Sequence, residues 1–559
     1  LHGTYYDYDV SIGHETRRTA DPYARACGIN SRRSMAVELG RTDPERWESD
    51  RAPKRQQEDI IYELHVKEFS WDGSAGFPEE LRGTYRAFTV EDTTLFGDGV
   101  HPTGIRYLKE LGVTHIQLMP VYDFGSVDEA GDRDQFNWGY DPVQYRVLEG
   151  SFSTEPANPY GRMFELTKLI EECHKQGIRV NLDVVFNHVY DKETHAFENT
   201  VPNYYFQMNE NGDFSNGTYC GNDVDSRRNM CHKYIVDACT YLVRTYHIDG
   251  FRFDLMGILD VATINAVYEA CKALNPDFMV YGEGWDMPSF LDSGKRASIS
   301  NNAQMPYVAH FSDRFRDVVK GRTNTNEVSV KGYCTGAVYL LDIMKNCLSG
   351  SCTNIGMEPM FTHPRNAVNY VECHDNMTSW DKLKECCKED SKEVRIARAK
   401  MLMAAVLLAQ GIPFIHSGQE FARSKHGLPN TYEESDEINK LDYLRRNQYQ
   451  DMVKITKDLI RIRRNHKVVV YGDYNPVCEE HPSIYAYTRR YQGQMLLVIL
   501  NFFSDPAVID LPKACLPENG VRLIGNYEDA PACEVHMKLR AFEAVVFLGG
   551  DGGVSIHAR

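Results

Sequence analysis

Charged and polar side chains recur at the ends of short apolar segments of this sequence. In "GFRFDLMGILD", residues 250–260, Arg252 and Asp254 alternate with Phe251 and Phe253. Strand side chains alternate between two faces, so the charged pair shares one face and the phenylalanines share the other. Similar polar endings are found at Asp183, Asn187, His188, Glu283, His374, Asp375 and Asn376. Carboxyl groups beside arginine and histidine could serve as acid, base or nucleophile.

Two of these carboxyl groups suit the cleavage of a glycosidic bond. That reaction needs one protonated carboxyl to donate to the leaving oxygen and one ionised carboxyl to attack or stabilise the anomeric carbon. Arg252 favours the ionised form of Asp254, whereas a neighbouring like charge and desolvation favour the protonated form of Glu283. Each residue alone could cap a helix or form a buried ion pair, but their convergence favours chemistry.

The elements that must position these residues are short apolar strands that alternate with helical segments. Seven strand-like segments are visible between residues 55 and 465, and "MPYVAHFSD" supplies an eighth. This alternation implies parallel strands, and eight such units form a closed (β/α)8 barrel, with an open doubly wound sheet as the alternative. All carboxyl ends of the strands then lie at one mouth. Asp254 and Glu283 are one strand–helix–strand step apart, so their strands should be neighbours.

Aromatic and imidazole side chains complete the predicted site. Trp138, Tyr140 and Trp285 offer flat faces on which sugar rings could stack, and His188 and His374 suit hydrogen bonds to sugar hydroxyls. Trp138 and Tyr140 lie in "FNWGYDP", which contains Gly and Pro and therefore predicts an exposed loop.

The flanking segments differ from the barrel region. Residues 466–559 contain short β segments and predict a C-terminal antiparallel β domain. Residues 1–54 are polar and β-like, and we expect them to be the remnant of a larger N-terminal β module with its linker. Residues 189–230 are rich in Asn, Gly and Tyr and predict a loop excursion after the third barrel strand.

The composition of the sequence excludes some classes of binding partner and indicates a cellular location. The net charge of −17 argues against a nucleic acid or an anionic membrane as partner. The sequence has no apolar run long enough to span a membrane, and its first residues lack the pattern of a signal peptide. The 15 cysteines lack metal-ligand spacing and favour reduced thiols, so we expect a cytoplasmic location. We also expect a monomer.

Four segments together resemble a known enzyme family. "DVVFNH", "GFRFDLMG", "YGEGWD" and "VECHDN" resemble, in order and spacing, the four signature regions of the α-amylase family, glycoside hydrolase family 13. "FNWGYDP" and "HDNMTSWDKL" narrow the resemblance to the type I pullulanases, although these enzymes usually have Tyr where Phe136 stands. Isoamylase-like debranching enzymes usually have Gly at the position of Asn376.

The resemblance implies a fold and a role for each site residue. It implies a (β/α)8 barrel with a loop subdomain after strand 3, a C-terminal β domain and an N-terminal starch-binding-like β-sandwich, here partial. Asp254 would be the nucleophile, Glu283 the general acid and base, and Asp375 the transition-state stabiliser, with the two reacting carboxyls about 5–5.5 Å apart. The residues implied to bind or orient substrate are Trp138, Tyr140, Asp183, His188, Arg252, Trp285, His374 and Asn376.

The implied activity is hydrolysis of α-1,6 linkages in α-glucans such as pullulan, amylopectin and limit dextrins. An α-1,4-cleaving amylase or neopullulanase and a non-catalytic α-glucan-binding protein are the alternatives. No cofactor is required. Some family members hold Ca²⁺ through loop oxygens, and residues 209–225 could supply them here, although such Asn- and Asp-rich stretches are more often ordinary turns.

Overall fold

The strands that carry the predicted site residues form a barrel in the structure, a computed structural model that describes residues 1–552 except Arg46, Gln57, Glu528 and Ala530. Within these described residues, eight parallel strands close on themselves in chain order, which confirms the predicted (β/α)8 barrel and excludes the open sheet. The strands are β1 Ile61–Leu64, β2 His115–Leu118, β3 Arg179–Val184, β4 Gly250–Phe253, β5 Met279–Gly282, β6 Val308–Phe311, β7 Ala367–Asn369 and β8 Ile412–His416. Strand β6 is the expected eighth segment.

Helices follow most of the barrel strands. They are α1 Val66–Trp71, α2 Gly104–Leu111, α3 Pro159–Lys175, α4 Ala196–Thr200, α5 Asn229–Tyr246, α6 Val261–Leu274, α7 Asp313–Val319, α8 Leu341–Leu348, α9 Ser379–Cys386, α10 Lys392–Leu408, α11 Asp436–Asn439, α12 Tyr443–Gln448, α13 Gln450–Asn465 and α14 Val468–Tyr471. Among the described residues, none of these helices combines the length and the apolar character needed to cross a bilayer.

The two faces of strand β4 differ because one packs in the hydrophobic core and the other carries Arg252. Phe251 and Phe253 are fully buried in the main hydrophobic core, which also contains Ile264 and Val267 of α6. Burying each aromatic ring contributes about 1.5–3 kcal/mol to folding. Arg252 belongs to the opposite face, as expected from the alternation of strand side chains.

The register of β4 places Arg252 between two neighbouring strands. Its Cα is paired with that of Asp183 on β3 and that of Tyr281 on β5. The guanidinium can therefore reach carboxyl groups from both sides of its own strand.

The segment between β3 and α5 has little regular structure. Within it, the described residues contain α4 and two isolated bridges, which pair Phe206 with Val224 and Met208 with Phe214. Its position after the third strand is that of the predicted excursion, residues 189–230.

The C-terminal strands form antiparallel sheets, as predicted. The strands are β9 Asn475–Val477, β10 Ile484–Tyr491, β11 Gln494–Asn501, β12 Ala507–Asp510, β13 Glu518–Gly525, β14 His536–Leu539 and β15 Ala544–Gly550. In the part of the chain that the structure describes, one sheet has the order β9–β10–β11–β15–β13, and β12 pairs with β14. Residues 553–559 of the predicted domain lie outside the described residues.

The N-terminal residues form short antiparallel pairs. Tyr5–Tyr6 pairs with Ser34–Met35, and Tyr8–Ile12 pairs with Glu15–Thr19. The division of the chain into 1–54, 55–465 and 466–559 stays a prediction.

Candidate active site

One guanidinium connects three carboxyl groups at the carboxyl ends of β3, β4 and β5. Arg252 Nη1 donates to Asp183 Oδ1 at 2.9 Å and to Asp254 Oδ1 at 2.8 Å. Its Nη2 lies 2.7 Å from Glu283 Oε1. Only 2% of the arginine is exposed, so the attraction acts at low dielectric. Arg252 thereby fixes Asp254 and Glu283 close to each other.

Glu283 has the environment of a general acid. Burial raises its pKa, and the negative charges of Asp254 and Asp375 raise it further, while Arg252 opposes them; the resulting pKa is about 7. Leu255 N donates to Glu283 Oε2 at 3.1 Å. Leu255 has φ +36°, a left-handed conformation that is costly for a branched residue and is often found at functional sites.

Asp183 supports the site from β3. Burial raises its pKa to about 7, although Arg252 opposes this shift. The Tyr140 hydroxyl donates to Asp183 Oδ2 at 2.7 Å, and the Tyr140 ring stacks on His374 with centroids 4.8 Å apart. Tyr140 thus connects the carboxyl end of β3 to the loop after β7.

His374 and Asp375 lie in that loop. His374 Nε2 is 3.6 Å from Asp375 Oδ2, and 47% of the Asp375 side chain is exposed. Burial lowers the pKa of His374, but the charges of Glu63 and Asp375 outweigh it and raise the pKa to about 9. An imidazolium beside an accessible carboxylate can donate to a sugar hydroxyl while Asp375 accepts from one.

His188 is buried next to Asn187, which contacts Asp254. Its Nδ1 is 2.5 Å from Asn187 Oδ1, and Asn187 Nδ2 donates to Asp254 Oδ2 at 2.9 Å. Burial lowers the pKa of His188, which favours the neutral ring. His188 therefore orients Asp254 through Asn187.

Trp138 is buried, so the prediction that its loop is exposed is wrong at this residue. It is 4% exposed, its ring lies edge-on to His374 at 4.9 Å, and Lys425 Nζ lies 5.1 Å from its centroid. Trp138 N donates to Tyr432 O, so residues from after β8 cover the loop. Trp138 supports His374 rather than offering an open face.

Trp285 and Asn376 complete the predicted set. Trp285 is half-buried and packs against the apolar cluster inside the barrel. Asn376 is partly exposed and has φ +65°, a region that Asn tolerates better than most residues and that Gly adopts freely. This conformation is compatible with either Asn or Gly at the position.

Two further residues belong to the site although the sequence analysis gave neither of them a catalytic or substrate-binding role. Glu63 on β1 accepts from His374 N at 2.7 Å and from His374 Nδ1 at 2.8 Å. Asn187 contacts Asp254 as described above. The signal for Asn187 was its place beside His188 in "DVVFNH"; the signal for Glu63 was one charge within the apolar "IIYELHV".

In the stretch suggested for calcium, residues 209–225, several side-chain oxygens accept hydrogen bonds from the stretch itself. Asp223 Oδ2 accepts from Ser215 Oγ and Gly217 N, and its Oδ1 accepts from Thr218 N. Asn209 closes a turn by accepting from the backbone of Asn211. The Asn209 contact is that of an ordinary Asx turn, and the Asp223 contacts close the loop between residues 215 and 223.

Comparison with known families finds matches in two parts of the chain. Residues 88–222 match the family described as alpha amylase, catalytic domain, and residues 476–546 match the maltogenic amylase C-terminal domain. The first range contains β2, β3 and Asp183, and the second contains most of the C-terminal sheet.

Curated relatives extend this likeness. The chain is 40% identical over 468 residues to a pullulanase of Bacillus subtilis, a match that covers 83% of this chain and 64% of that protein. It is 30% identical over 539 residues to chloroplastic pullulanase 1 of Arabidopsis thaliana, covering 79% of this chain and 54% of that protein. The chain thus spans between half and two thirds of these relatives' length.

Solved structures share the whole architecture. Apo pullulanase from Paenibacillus barengoltzii is 36% identical with a TM-score of 0.93, covering 98% of this chain and 85% of that one. Type I pullulanase from Bacillus subtilis complexed with maltose is 34% identical with a TM-score of 0.92, covering 98% and 78%. The chain therefore belongs to the type I pullulanases of the α-amylase family, glycoside hydrolase family 13.

Proposed function

We propose that this protein hydrolyses α-1,6-glucosidic linkages in branched α-glucans such as pullulan, amylopectin and limit dextrins. One observation carries the chemistry: Arg252 contacts both Asp254 and Glu283 at the barrel mouth, and the pKa of Glu283 is raised to about 7. An ionised carboxylate beside a protonated carboxyl is the pair that retaining glycosidases require. The relatives are named pullulanases, which supports the α-1,6 linkage as the bond that is cleaved.

In the proposed mechanism, Asp254 attacks the anomeric carbon while Glu283 protonates the leaving glycosidic oxygen. A covalent glycosyl-enzyme forms, and Glu283 then removes a proton from the water that hydrolyses it. Asp375, which is accessible at the mouth, would stabilise the distorted sugar in the transition state. Arg252 would orient Asp254 directly, and His188 would do so through Asn187.

The substrate would enter from the mouth. Trp285 and Tyr140 would contact glucose rings, His374 and Asn376 would bind hydroxyls, and Asp183 would hold Tyr140 and Arg252 in place. Trp138 would act by supporting His374. Structures of relatives in complex with maltotetraose and with maltohexaose support an α-glucan ligand.

The wider assignments are also proposals. Residues 55–465 would be the catalytic domain, 466–559 the C-terminal β domain, and 1–54 the remnant of a β module. A cytoplasmic location is supported by the large number of cysteines, since reducing compartments tolerate free thiols. The monomeric state stays a prediction.

The deciding experiment is product analysis after incubation with pullulan. Maltotriose as the main product is expected from α-1,6 cleavage, whereas panose would indicate α-1,4 cleavage by a neopullulanase-like enzyme. The Asp254→Asn variant should lose turnover by about 10⁴-fold or more while retaining its fold and glucan binding. The matched surface variant Glu269→Gln should behave like the unmodified chain. Glucan binding without any release of sugar by the unmodified chain would favour the non-catalytic alternative.

A further inference from the structure

Two adjacent cysteines at the end of α9 have no role in the proposed hydrolysis. Cys386 is the last residue of α9 and Cys387 caps it, and their sulfurs lie 3.7 Å apart. Successive side chains of a continuous helix do not face each other. Here Cys387 has φ −128° and ψ 54°, which is outside the helical region. The helix therefore ends between the two residues, and this break lets both sulfurs meet on one side of the chain.

The two sulfurs differ in exposure and in protonation. Cys387 is fully buried, and its Sγ donates to Thr335 O at 3.5 Å, so it is held as a thiol. Cys386 is 6% exposed and lies close to the exposed residues Lys388 and Glu389 in the turn that follows α9. The hydrogen bond with Cys387 lowers the pKa of Cys386 to about 7, although burial opposes this shift. Cys386 is thus the accessible sulfur and the one with thiolate character.

Two lysines favour the ionised form of Cys386. The positive charges of Lys382 and Lys331 both lower its pKa. Lys382 Nζ donates to three backbone carbonyls of the segment 322–330, which fixes the ammonium in place. All 15 cysteines of the chain lie among the described residues, and Cys386 is the one whose pKa is lowered, whereas the pKa of each of the others is raised. Because the thiolate is the reactive form of cysteine, oxidation should begin at Cys386.

We propose that Cys386 and Cys387 form a modification site for hydrogen peroxide, which converts the pair into a reversible disulfide. Cysteines that react with peroxide are ionised, accessible and often next to a second cysteine that resolves the product. Cys386 fits the first role and Cys387 the second. The Cα atoms of neighbouring residues are about 3.8 Å apart, less than the roughly 4.4–6.8 Å usual for a disulfide. The bond would therefore be strained and readily reduced, as regulatory disulfides are.

The oxidation takes two steps, with peroxide as the oxidant. The Cys386 thiolate attacks one oxygen of peroxide, the O–O bond breaks, and the departing hydroxide takes up a proton to become water. Cys386 is then a sulfenic acid, oxidised by two electrons. Cys387 Sγ next attacks Cys386 Sγ, the S–O bond breaks, and the hydroxyl leaves as water with the proton from Cys387. The sum is two thiols and one peroxide giving one disulfide and two waters.

The modification would act at a distance from the reacting carboxyls. Helix α9 begins at Ser379, after the loop that contains Asp375, and its eight residues rise by about 12 Å before the pair is reached. The reaction consumes the proton that Cys387 donates to Thr335 O, so this hydrogen bond would be lost. Oxidation would thereby weaken the contact between the end of α9 and the segment at Thr335.

The test is peptide mapping of the whole chain after oxidation. The protein is reduced, freed of reductant, treated with a small excess of H₂O₂ at pH 7, alkylated with iodoacetamide and digested with trypsin. Cleavage after Lys384 and Lys388 releases residues 385–388, a peptide that contains both cysteines of the pair and no other. Its mass should equal that of the unalkylated dithiol less two hydrogen atoms. Treatment with dithiothreitol before alkylation should restore the doubly alkylated peptide.

Cys220 provides a comparison within the same chain. This residue is exposed, yet partial desolvation of its sulfur raises the pKa of its thiol to about 11. The pair should therefore react about tenfold or more faster than Cys220 at pH 7, since the thiolate fraction determines the rate. A pair that remains doubly alkylated after Cys220 has been oxidised would overturn the proposal.

Two single variants assign the roles of the sulfurs. In Cys387→Ser, the reaction should stop at a sulfenic acid on Cys386, which dimedone traps and mass spectrometry locates. In Cys386→Ser, Cys387 should give no dimedone adduct under the same conditions. An adduct on Cys387, or a disulfide from either residue to a distant cysteine, would contradict the assignment. If a variant does not fold, peptide mapping of the unmodified chain still decides whether the bond forms. None of these readouts requires catalysis, so the result is independent of the proposed function.

Discussion

Glu63 accepts two hydrogen bonds from His374, one from the backbone nitrogen at 2.7 Å and one from Nδ1 at 2.8 Å. The first fixes the loop after β7, and the second fixes the ring within it. Because Nδ1 is occupied by Glu63, Nε2 is the nitrogen left to face Asp375, 3.6 Å away. A residue on β1 thus determines which edge of the His374 imidazole, in the loop after β7, faces Asp375.

Glu63→Gln should lower the pKa of His374 and impair catalysis. Glutamine keeps the size of the side chain and an oxygen acceptor but removes the charge that helps to raise this pKa to about 9. We expect the pKa to fall by at least about one unit, since a charge in hydrogen-bond contact has an effect of this order, and kcat/KM at pH 8 to fall about tenfold or more. The measurements are NMR titration of ¹³C-labelled histidine and kinetics on pullulan.

His374→Gln would assign the NMR signal, and Glu269→Gln would serve as the surface control. A His374 pKa that stays near 9 in Glu63→Gln would show that Glu63 has only a structural role. The NMR titration decides this even if pullulan is not the substrate.

The rate of hydrolysis should fall with rising pH above about 7. Glu283 must carry a proton to donate to the leaving oxygen, and its pKa in the folded protein is about 7. Above that value, the protonated fraction falls tenfold per pH unit, and kcat/KM should follow it. A pH–rate profile on pullulan measures the descending limb; a profile that is flat from pH 6 to 9 would contradict the role of Glu283 as acid.

His174 should stabilise the chain at neutral pH and lose this effect in base. Its Nδ1 lies 2.9 Å from Asp50, and its Nε2 lies 3.0 Å from Asp249, just before β4. Burial lowers the pKa of His174, but the hydrogen bonds to both aspartates outweigh it and raise the pKa to about 9. Because the folded pKa exceeds the unfolded one, the stabilisation is complete below about pH 6.5 and disappears as pH rises through 9.

Urea unfolding of His174→Gln measures this contribution. At pH 6 the variant should be less stable than the unmodified chain by about 3 kcal/mol, the order that such a pKa shift implies, and at pH 10 the difference should be much smaller. His14→Gln, an exposed histidine, should show no difference at either pH. An equal loss at both pH values would mean that His174 contributes packing alone.

The positions of the two proposed reacting residues were predictable because they follow from the periodicity of the sequence. Asp254 and Glu283 stand directly after buried strands one step apart, and parallel barrels collect strand ends at one mouth. The closed barrel and the C-terminal sheet were predictable for the same reason, since alternation of strand and helix signals is local. Arg252 was recognisable as the partner of Asp254 because it shares a strand face with that residue, whereas its contact with Glu283 was not predicted.

Residues whose role depends on distant contacts were not predictable. Glu63 looks like one charge in an apolar strand, and only barrel closure brings it to His374, 311 positions later in the chain. Trp138 lies in a segment with the composition of an exposed loop, but Lys425 and Tyr432, from the segment after β8, cover it. Sequence composition reports neither contact.

The contact of Arg252 with both Asp254 and Glu283 has a consequence for the second step of the proposed reaction, the hydrolysis of the glycosyl-enzyme. Once Asp254 is esterified to the sugar it carries no charge, so Glu283 loses one of the neighbours that raise its pKa while the guanidinium remains beside it. The proton affinity of Glu283 then drops just after it has given its proton away. The group that began as the acid is thereby left ionised, ready to accept a proton from the incoming water. In this mechanism Arg252 is the counter-ion of Asp254 and Glu283 before the first step, and of Glu283 without Asp254 while the ester exists.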